Sequence, residues 1–428
     1  MTATESASSV NTAREPDPRA QNDLMRTSND IERLRVGLST CPNDTFLFHG
    51  LLSGAIPTPG LELEFELLDI EELNLGLLGG RFDVAKGSFA LALERAAELV
   101  TLPVGSALGR GNGPLLLARA PGVRPGPGRR VLSPGRHTTA NLLLHLFHGE
   151  ALREAELKQV VFSAIQPALL AGSADLGACI HEGRFTWEAQ GLDLVEDLGA
   201  RWEADTGTML PLGGLFARRH LSKRTRRLLT AALRASLEYG YAHPDAALST
   251  MRRYAQEQTD AVLWSHVELY VTDCTRDVGP EGRRALEALG ERARAAGLLA
   301  EDAPGLEVDG PARLLHLTTP SAAAVLQRGE PWSPPSLTTE GFVHLSFEDQ
   351  VTGTLEAHFR GQGDLVLLEM RPELLSEPEV KLETSRDGLP FPHLYRALEP
   401  KDVLRSWRVA PEDGGHRVPG EAELPIAP

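Results

Sequence analysis

The stretch ACIHEGRF carries an apolar run to His181, and neutral imidazole is the side chain best placed to accept a proton near pH 7. A single histidine is more often structural, so its weight depends on what surrounds it. Cys179 lies two residues earlier and shares a strand face with His181, which permits a thiolate–imidazole pair or a metal site; without further ligands, a buried cysteine is the favoured reading. The stretch AKGS, residues 85 to 88, ends another apolar run. There Gly87 lets the backbone approach a ligand closely and Ser88 offers a hydroxyl, while Lys86 reads either as a ligand contact or as a surface charge.

Two loops have the character of anion sites. CPNDTF, residues 41 to 46, opens the helical pattern FLFHGLL, and a helix start offers unpaired N–H groups and a positive dipole end to a carboxylate or phosphate. Asn43 can serve such a ligand, although Asn43 or Asp44 can equally cap the helix. GRHTTA, residues 135 to 140, repeats the arrangement with Thr138 and Thr139, for which N-capping is again the competing role. The run GRGNGP, residues 109 to 114, lacks the Lys-Ser/Thr ending of a phosphate-binding loop and precedes a strand. It reads as a tight turn, from which Arg110 can meet an anionic substrate.

These segments need a scaffold that brings them together. From Leu34 short apolar strands alternate with helical patterns, which predicts a mostly parallel sheet covered by helices. VGLSTCPNDTFLFHGLL matches RVLSPGRHTTANLLLHLF at an offset of 94, Ser39 to Ser133, and LLGGRFDVAKGS matches LLAGSADLGACIHE at 92, Asp83 to Asp175. Two ordered matches predict two similarly built α/β lobes facing across a cleft, the architecture of type II periplasmic-binding-protein folds. In open α/β sheets ligands sit beyond the carboxyl ends of the strands, so all four loops point at one site, and anion binding becomes the better reading for Thr138 and Thr139. The Pro/Gly segment 121–130 is taken as the lobe boundary, giving lobe 1 as about 34–120 and 213–300 and lobe 2 as about 129–212. Helices are expected near 222–241, 244–257, 259–271 and 279–297, with Ser222, Asp245 and Asp260 as N-caps.

Residues 301–313 read as a linker into a small α+β unit at 314–409. There LLHLTTP, EGFVHLSF, DLVLLEM and FPHLYRAL are strands or strand ends, SAAAVLQRG is a short helix, and His316, His344, His393 and Tyr395 are candidates for a polar pocket. Residues 1–33 and 410–428 are polar and read as disordered tails. The net charge of −16 opposes binding to nucleic acid or anionic lipid, and the basic run Lys223 to Arg227 reads as a solvated helix face. Three scattered cysteines fit a reducing compartment, and the absence of a signal-like or spanning apolar stretch points to the cytoplasm.

In this order and spacing, CPNDTF, AKGS, ALGRGNGPL, PGRHTTA, IHEGRFTW and DLGARWE resemble the 1,4-dihydroxy-6-naphthoate synthases of the futalosine route to menaquinone, over about residues 34 to 299. The resemblance implies a lyase that acts on cyclic dehypoxanthine futalosine, a small-molecule carboxylate, without a metal or organic cofactor. It places the proton acceptor on His181 and substrate-binding segments on Lys86, Gly87 and Ser88 and on Thr138 and Thr139. It also departs from the family in having Gly87 where a larger residue can stand. The C-terminal motifs resemble a small bacterial family of unknown function. The rival reading is a non-catalytic carboxylate-binding or sensor protein on the same fold.

Overall fold

A computed structural model describes residues 31–181, 183–255, 259–310, 313–371, 374, 378–385, 389–412 and 415–416. The chain begins as strand β1 (Glu32–Ser39), helix α1 (Pro42–Leu47), β2 (Leu61–Leu68), helix α2 (Ile70–Leu78), β3 (Val84–Ser88), β4 (Leu99–Thr101) and β5 (Ala107–Gly109). It then crosses to a second sheet with β6 (Leu115–Ala118), β7 (Arg130–Ser133), helix α3 (Thr139–Leu152), β8 (Glu156–Gln159), helix α4 (Ile165–Leu170), β9 (Leu176–Cys179) and β10 (Asp193–Asp197). Strand β11 (Leu210–Arg218) returns to the first sheet, and helices α5 (Lys223–Ala242), α6 (Pro244–Tyr254), α7 (Asp260–Tyr270) and α8 (Gly279–Ala295) follow.

The two sheets have the same order. The first runs β2-β1-β3-β11-β4 and the second β8-β7-β9-β6-β10, with β11 antiparallel to β3 and β6 antiparallel to β9. Two such sheets joined by two crossings form the type II periplasmic-binding-protein arrangement. The central strands β3, β6 and β9 are buried along their whole length, which is why their sequences do not alternate between apolar and polar. The internal repeat is visible in single bonds: Asp83 accepts the backbone N–H of Arg35 at 2.9 Å, and Asp175 accepts that of Arg130 at 2.9 Å. Val36 opposite Val84 and Val131 opposite Leu176 set the first pair of strands at an offset of 95 rather than 94. The second lobe has the longer loop before its helix, from Ser133 to Thr139 against Ser39 to Pro42.

The lobe boundary lies earlier than the Pro/Gly segment suggests. β6 already pairs with β9 and β10, so the crossing is made by residues 110–114, and 121–130 is a turn within lobe 2. The return crossing likewise precedes residue 213, because β11 starts at Leu210. Ser222 caps α5 by accepting the Thr225 N–H at 3.1 Å. Asp245 and Asp260 do not cap; they occupy the first turns of α6 and α7, where a carboxylate meets the positive end of the helix dipole.

The small unit contains β12 (Leu314–Thr318), a helix at Pro320–Gln327, β13 (Val343–His344), β14 (Ser346–Phe347), β15 (Leu365–Met370), β16 (Val380–Thr384), β17 (Pro390–Leu394) and β18 (Val403–Val409). They form sheets ordered β14-β12-β15-β18 and β13-β17-β16. Most of the expected tails lies outside the described residues, although β1 starts at Glu32 and Pro411–Glu412 pairs with Gly415–His416. The basic run on α5 is no solvated face. Arg226 is buried against Asp309, and Arg227 forms a forked pair with Asp349 at 3.0 and 2.6 Å while lying over Phe347. Leu389 and Phe391 enter the same core cluster as Leu61 and Leu228, so α5 is the face on which the small unit docks. The acidic partners are distant in sequence, which hides this role from local pattern.

His316 lies within the small unit, its Nδ1–H donating to the His344 carbonyl at 2.8 Å and its Nε2 without a partner among the described residues. Burial holds its pKa down at about 4, below the ordinary 6.5. Between these values the unfolded chain binds the proton and the folded one does not, so stability is full above pH 6.5 and falls as the pH drops towards 4. That linkage amounts to about 3 kcal/mol. His316→Phe should flatten the acid limb of urea-denaturation midpoints between pH 4 and 6.5; an unchanged limb would show that the linkage lies elsewhere.

Candidate active site

A cleft lies between the sheets, walled by Ser39, Asn43, Asp44, Lys86 and Ser88 from lobe 1, by Thr138, Thr139 and His181 from lobe 2, and by Asn112 on the crossing segment. Its floor is a buried ion pair. Lys86 Nζ donates to Asp44 Oδ1 at 2.7 Å and to the Gly105 carbonyl at 3.1 Å, and both side chains are almost wholly enclosed. Asp44 also accepts from Ser39 Oγ at 2.6 Å and Asn43 Nδ2 at 2.9 Å. Lys86 is therefore no surface charge. Its ammonium is largely neutralised, with a third N–H left for a ligand.

Neither Asn43 nor Asp44 caps α1; Cys41 holds the cap position and makes no side-chain cap bond. Ser88 is aimed by Asn74, which accepts the Ser88 backbone N–H at 2.9 Å and donates to its hydroxyl at 3.2 Å. Gly87 does not face the cleft. A Cβ there would stand 2.9 Å from Leu77 and 3.1 Å from Phe216, so its glycine serves close packing beneath the sheet.

Thr138 caps α3, accepting the Asn141 N–H at 3.2 Å and donating to the Gly135 carbonyl at 2.8 Å. Capping and lining the cleft are thus compatible. Thr139 spans the lobes, donating to the Leu212 carbonyl at 2.7 Å. The loop between β7 and α3 presses on α2 so closely that a Cβ on Gly135, at φ +136°, would meet the Glu71 carboxylate at 2.5 Å, and the His137 N–H donates to Glu71 at 3.2 Å. Burial raises the pKa of Glu71 and of Asp69, the cap of α2.

His181 has φ +53°, the single described non-glycine residue in the left-handed region. Such strain persists where the surrounding structure enforces it, commonly at functional sites. Its ring contacts Phe162 edge-on at 5.0 Å, and Cys41 Sγ lies 3.6 Å from Nδ1 and 3.7 Å from Nε2. Cys179 is not the partner: it is buried in the lobe 2 core, and burial pushes its thiol up to about 12. The thiol beside His181 comes instead from the opposite lobe, a pairing that sequence distance conceals. Asn112, also missed, is 1% exposed with both amide atoms lacking a partner among the described residues.

Arg110 is not in the cleft. It is half exposed, donates to the Gly207 carbonyl at 3.2 Å and lies near Glu203 and Glu281 at 3.9 and 3.8 Å, because the turn at 109–111 carries it outward. Arg110→Ala should change stability by less than about 0.5 kcal/mol and leave ligand affinity unaltered. Asp44→Ala should cost about 3–5 kcal/mol in urea denaturation, since it leaves the Lys86 charge buried and unpaired. A loss below 1 kcal/mol would mean that the pair is solvated in solution.

The menaquinone-biosynthesis family model matches residues 34–295. A 1,4-dihydroxy-6-naphthoate synthase of Thermus thermophilus is 45% identical over 270 residues, 63% of this chain and 97% of that protein. The corresponding synthase of Streptomyces coelicolor is 38% identical over 271 residues, covering 63% and 95%. The crystal structure of protein AF1704 from Archaeoglobus fulgidus superposes with a TM-score of 0.58 at 31% identity, covering 62% of this chain and 98% of that one. Residues 317–406 match a separate family described only as a protein of unknown function. With its two-lobed unit matched almost from end to end, the chain belongs to the menaquinone-biosynthesis family.

Proposed function

We propose that this chain is a carbon–carbon lyase that converts cyclic dehypoxanthine futalosine to 1,4-dihydroxy-6-naphthoate, with His181 as proton acceptor. The carrying observation is a strained imidazole at φ +53° facing a cleft whose other walls offer hydroxyl and amide groups. In this reading His181 removes a carbon-bound proton made acidic by a neighbouring ketone. The electron pair left behind forms an enolate; as the ring becomes aromatic the bond to the sugar-derived carbon breaks, its pair leaving on that carbon, which takes up the proton held by the His181 imidazolium.

Ser88, Asn43 and the remaining Lys86 N–H are the side-chain donors that hold the substrate carboxylate and the enolate oxygen, while Thr138 and Thr139, whose hydroxyl hydrogens go to the Gly135 and Leu212 carbonyls, bind through the start of α3. Ser88 accepts from Asn74 and so keeps its own O–H for the substrate, and a donor fixed in this way before the reaction stabilises developing charge without reorganising. Contacts of Thr139 and His137 with lobe 1 keep water out once the lobes meet.

Incubation of purified protein with cyclic dehypoxanthine futalosine should give 1,4-dihydroxy-6-naphthoate by mass spectrometry, and His181→Ala should lower turnover by about 10²–10⁴-fold while still binding substrate. Absence of product from folded wild-type protein would favour a carboxylate-binding protein. Near-normal turnover by the variant would remove His181 from the role of base.

A further inference from the structure

His181 belongs to lobe 2, yet much of its ring is held from lobe 1. Besides Cys41, the His266 ring on α7 lies nearly parallel to it, with centroids 5.9 Å apart and planes inclined by 22°. Phe162 meets it from its own lobe, so the imidazole is packed between rings supplied by both lobes. His266 is 1% exposed, packs against Tyr270 at 4.4 Å, and neither of its nitrogens has a partner among the described residues. Burial, with the charges of His181 and Lys86, lowers its pKa well below 6.5. It therefore meets His181 as a neutral ring.

The walls of the cleft include His181 and Tyr270 but neither Cys41 nor His266. Both residues are placed to act through the base and not on the substrate. We propose that Cys41 and His266 are positioning residues for His181, the thiol and the His266 ring packing against the imidazole from lobe 1 and fixing its plane. The proposal rests on the reading of His181 as proton acceptor.

An imidazole takes a proton through one nitrogen while the other carries hydrogen, and the partner of the second nitrogen decides the tautomer. Sγ, at 3.6 Å from Nδ1 and 3.7 Å from Nε2, is almost equidistant from the two nitrogens, so the thiol bears on the ring as a whole and restricts its rotation instead of choosing between them. Because Cys41 and His266 lie on lobe 1 and His181 on lobe 2, the base is set only when the lobes meet. Closure thereby arms the proton acceptor as well as excluding water.

The test compares kcat and KM for wild type, His181→Ala, Cys41→Ala, His266→Leu and His266→Phe, with melting temperatures alongside. Cys41→Ala and His266→Leu should each lower kcat about tenfold with KM within about threefold, and His266→Phe, which keeps the ring face, should return to within about threefold of wild type. Wild-type kcat in the first two variants, equal losses for Leu and Phe, or a rise in KM that matches the fall in kcat would overturn the proposal. Loss of the folded state in Cys41→Ala or His266→Leu would also overturn it, since the pair would then be structural. A folded wild type that makes no product, or an active His181→Ala, would instead refute the functional reading beneath it.

Discussion

The Asp44–Lys86 pair is the interaction on which the cleft depends. Enclosing two charges is expensive, and their mutual attraction offsets that cost only if the geometry is good and the remaining donors and acceptors are satisfied. Here they are supplied locally: Ser39 and Asn43 serve the carboxylate, and the Gly105 carbonyl serves the ammonium. The pair ties the tip of β3 to the first turn of α1, and so fixes the positions of Ser88 and Cys41 relative to one another. It also means that the lobe 1 wall carries little net charge. A carboxylate entering this cleft is met by oriented dipoles and hydrogen-bond donors more than by an unpaired cation.

Much of this architecture is legible in the sequence because the two lobes repeat one plan. Matched apolar runs and the recurring Asp83 and Asp175 place corresponding strands, and the recurring bonds to Arg35 and Arg130 show why an aspartate stands at each position. Local pattern fails where a role is set by a distant partner. The Pro/Gly stretch 121–130 looks like a boundary because it is a turn, whereas the real crossing at 110–114 has no stronger local mark than GRGNGP. Cys179 is two residues from His181 in sequence and points into the core, while Cys41, 140 residues away, touches the ring. The basic run on α5 has the composition of a solvated face, and only the folded chain brings Asp309 and Asp349 to it.

The same limit explains which cleft residues were readable. Lys86, Ser88, Thr138, Thr139 and His181 stand at strand tips or helix starts, positions that the fold rules direct toward a ligand. Gly87 shares that segment but alternates to the other face of its strand, and Arg110 leaves the cleft on a turn. His266 lies in the middle of a helix whose pattern is ordinary, so nothing local separates it from a structural histidine.

The division of the site between lobes gives closure a chemical meaning. Gly135 lies directly on Glu71, Thr139 donates to Leu212, and His181 meets Cys41 and His266, so each contact that brings the lobes together also places a group of the site. In an opened molecule His181 would lose its lobe 1 neighbours while the Asp44–Lys86 floor stayed whole, because both ends of that pair lie in lobe 1. The Asp44–Lys86 floor is therefore built into one lobe, while the surroundings of His181 are completed by two. In the proposed reaction such an order would let a substrate be held before His181 is set, and so would confine proton abstraction to a cleft that already excludes water.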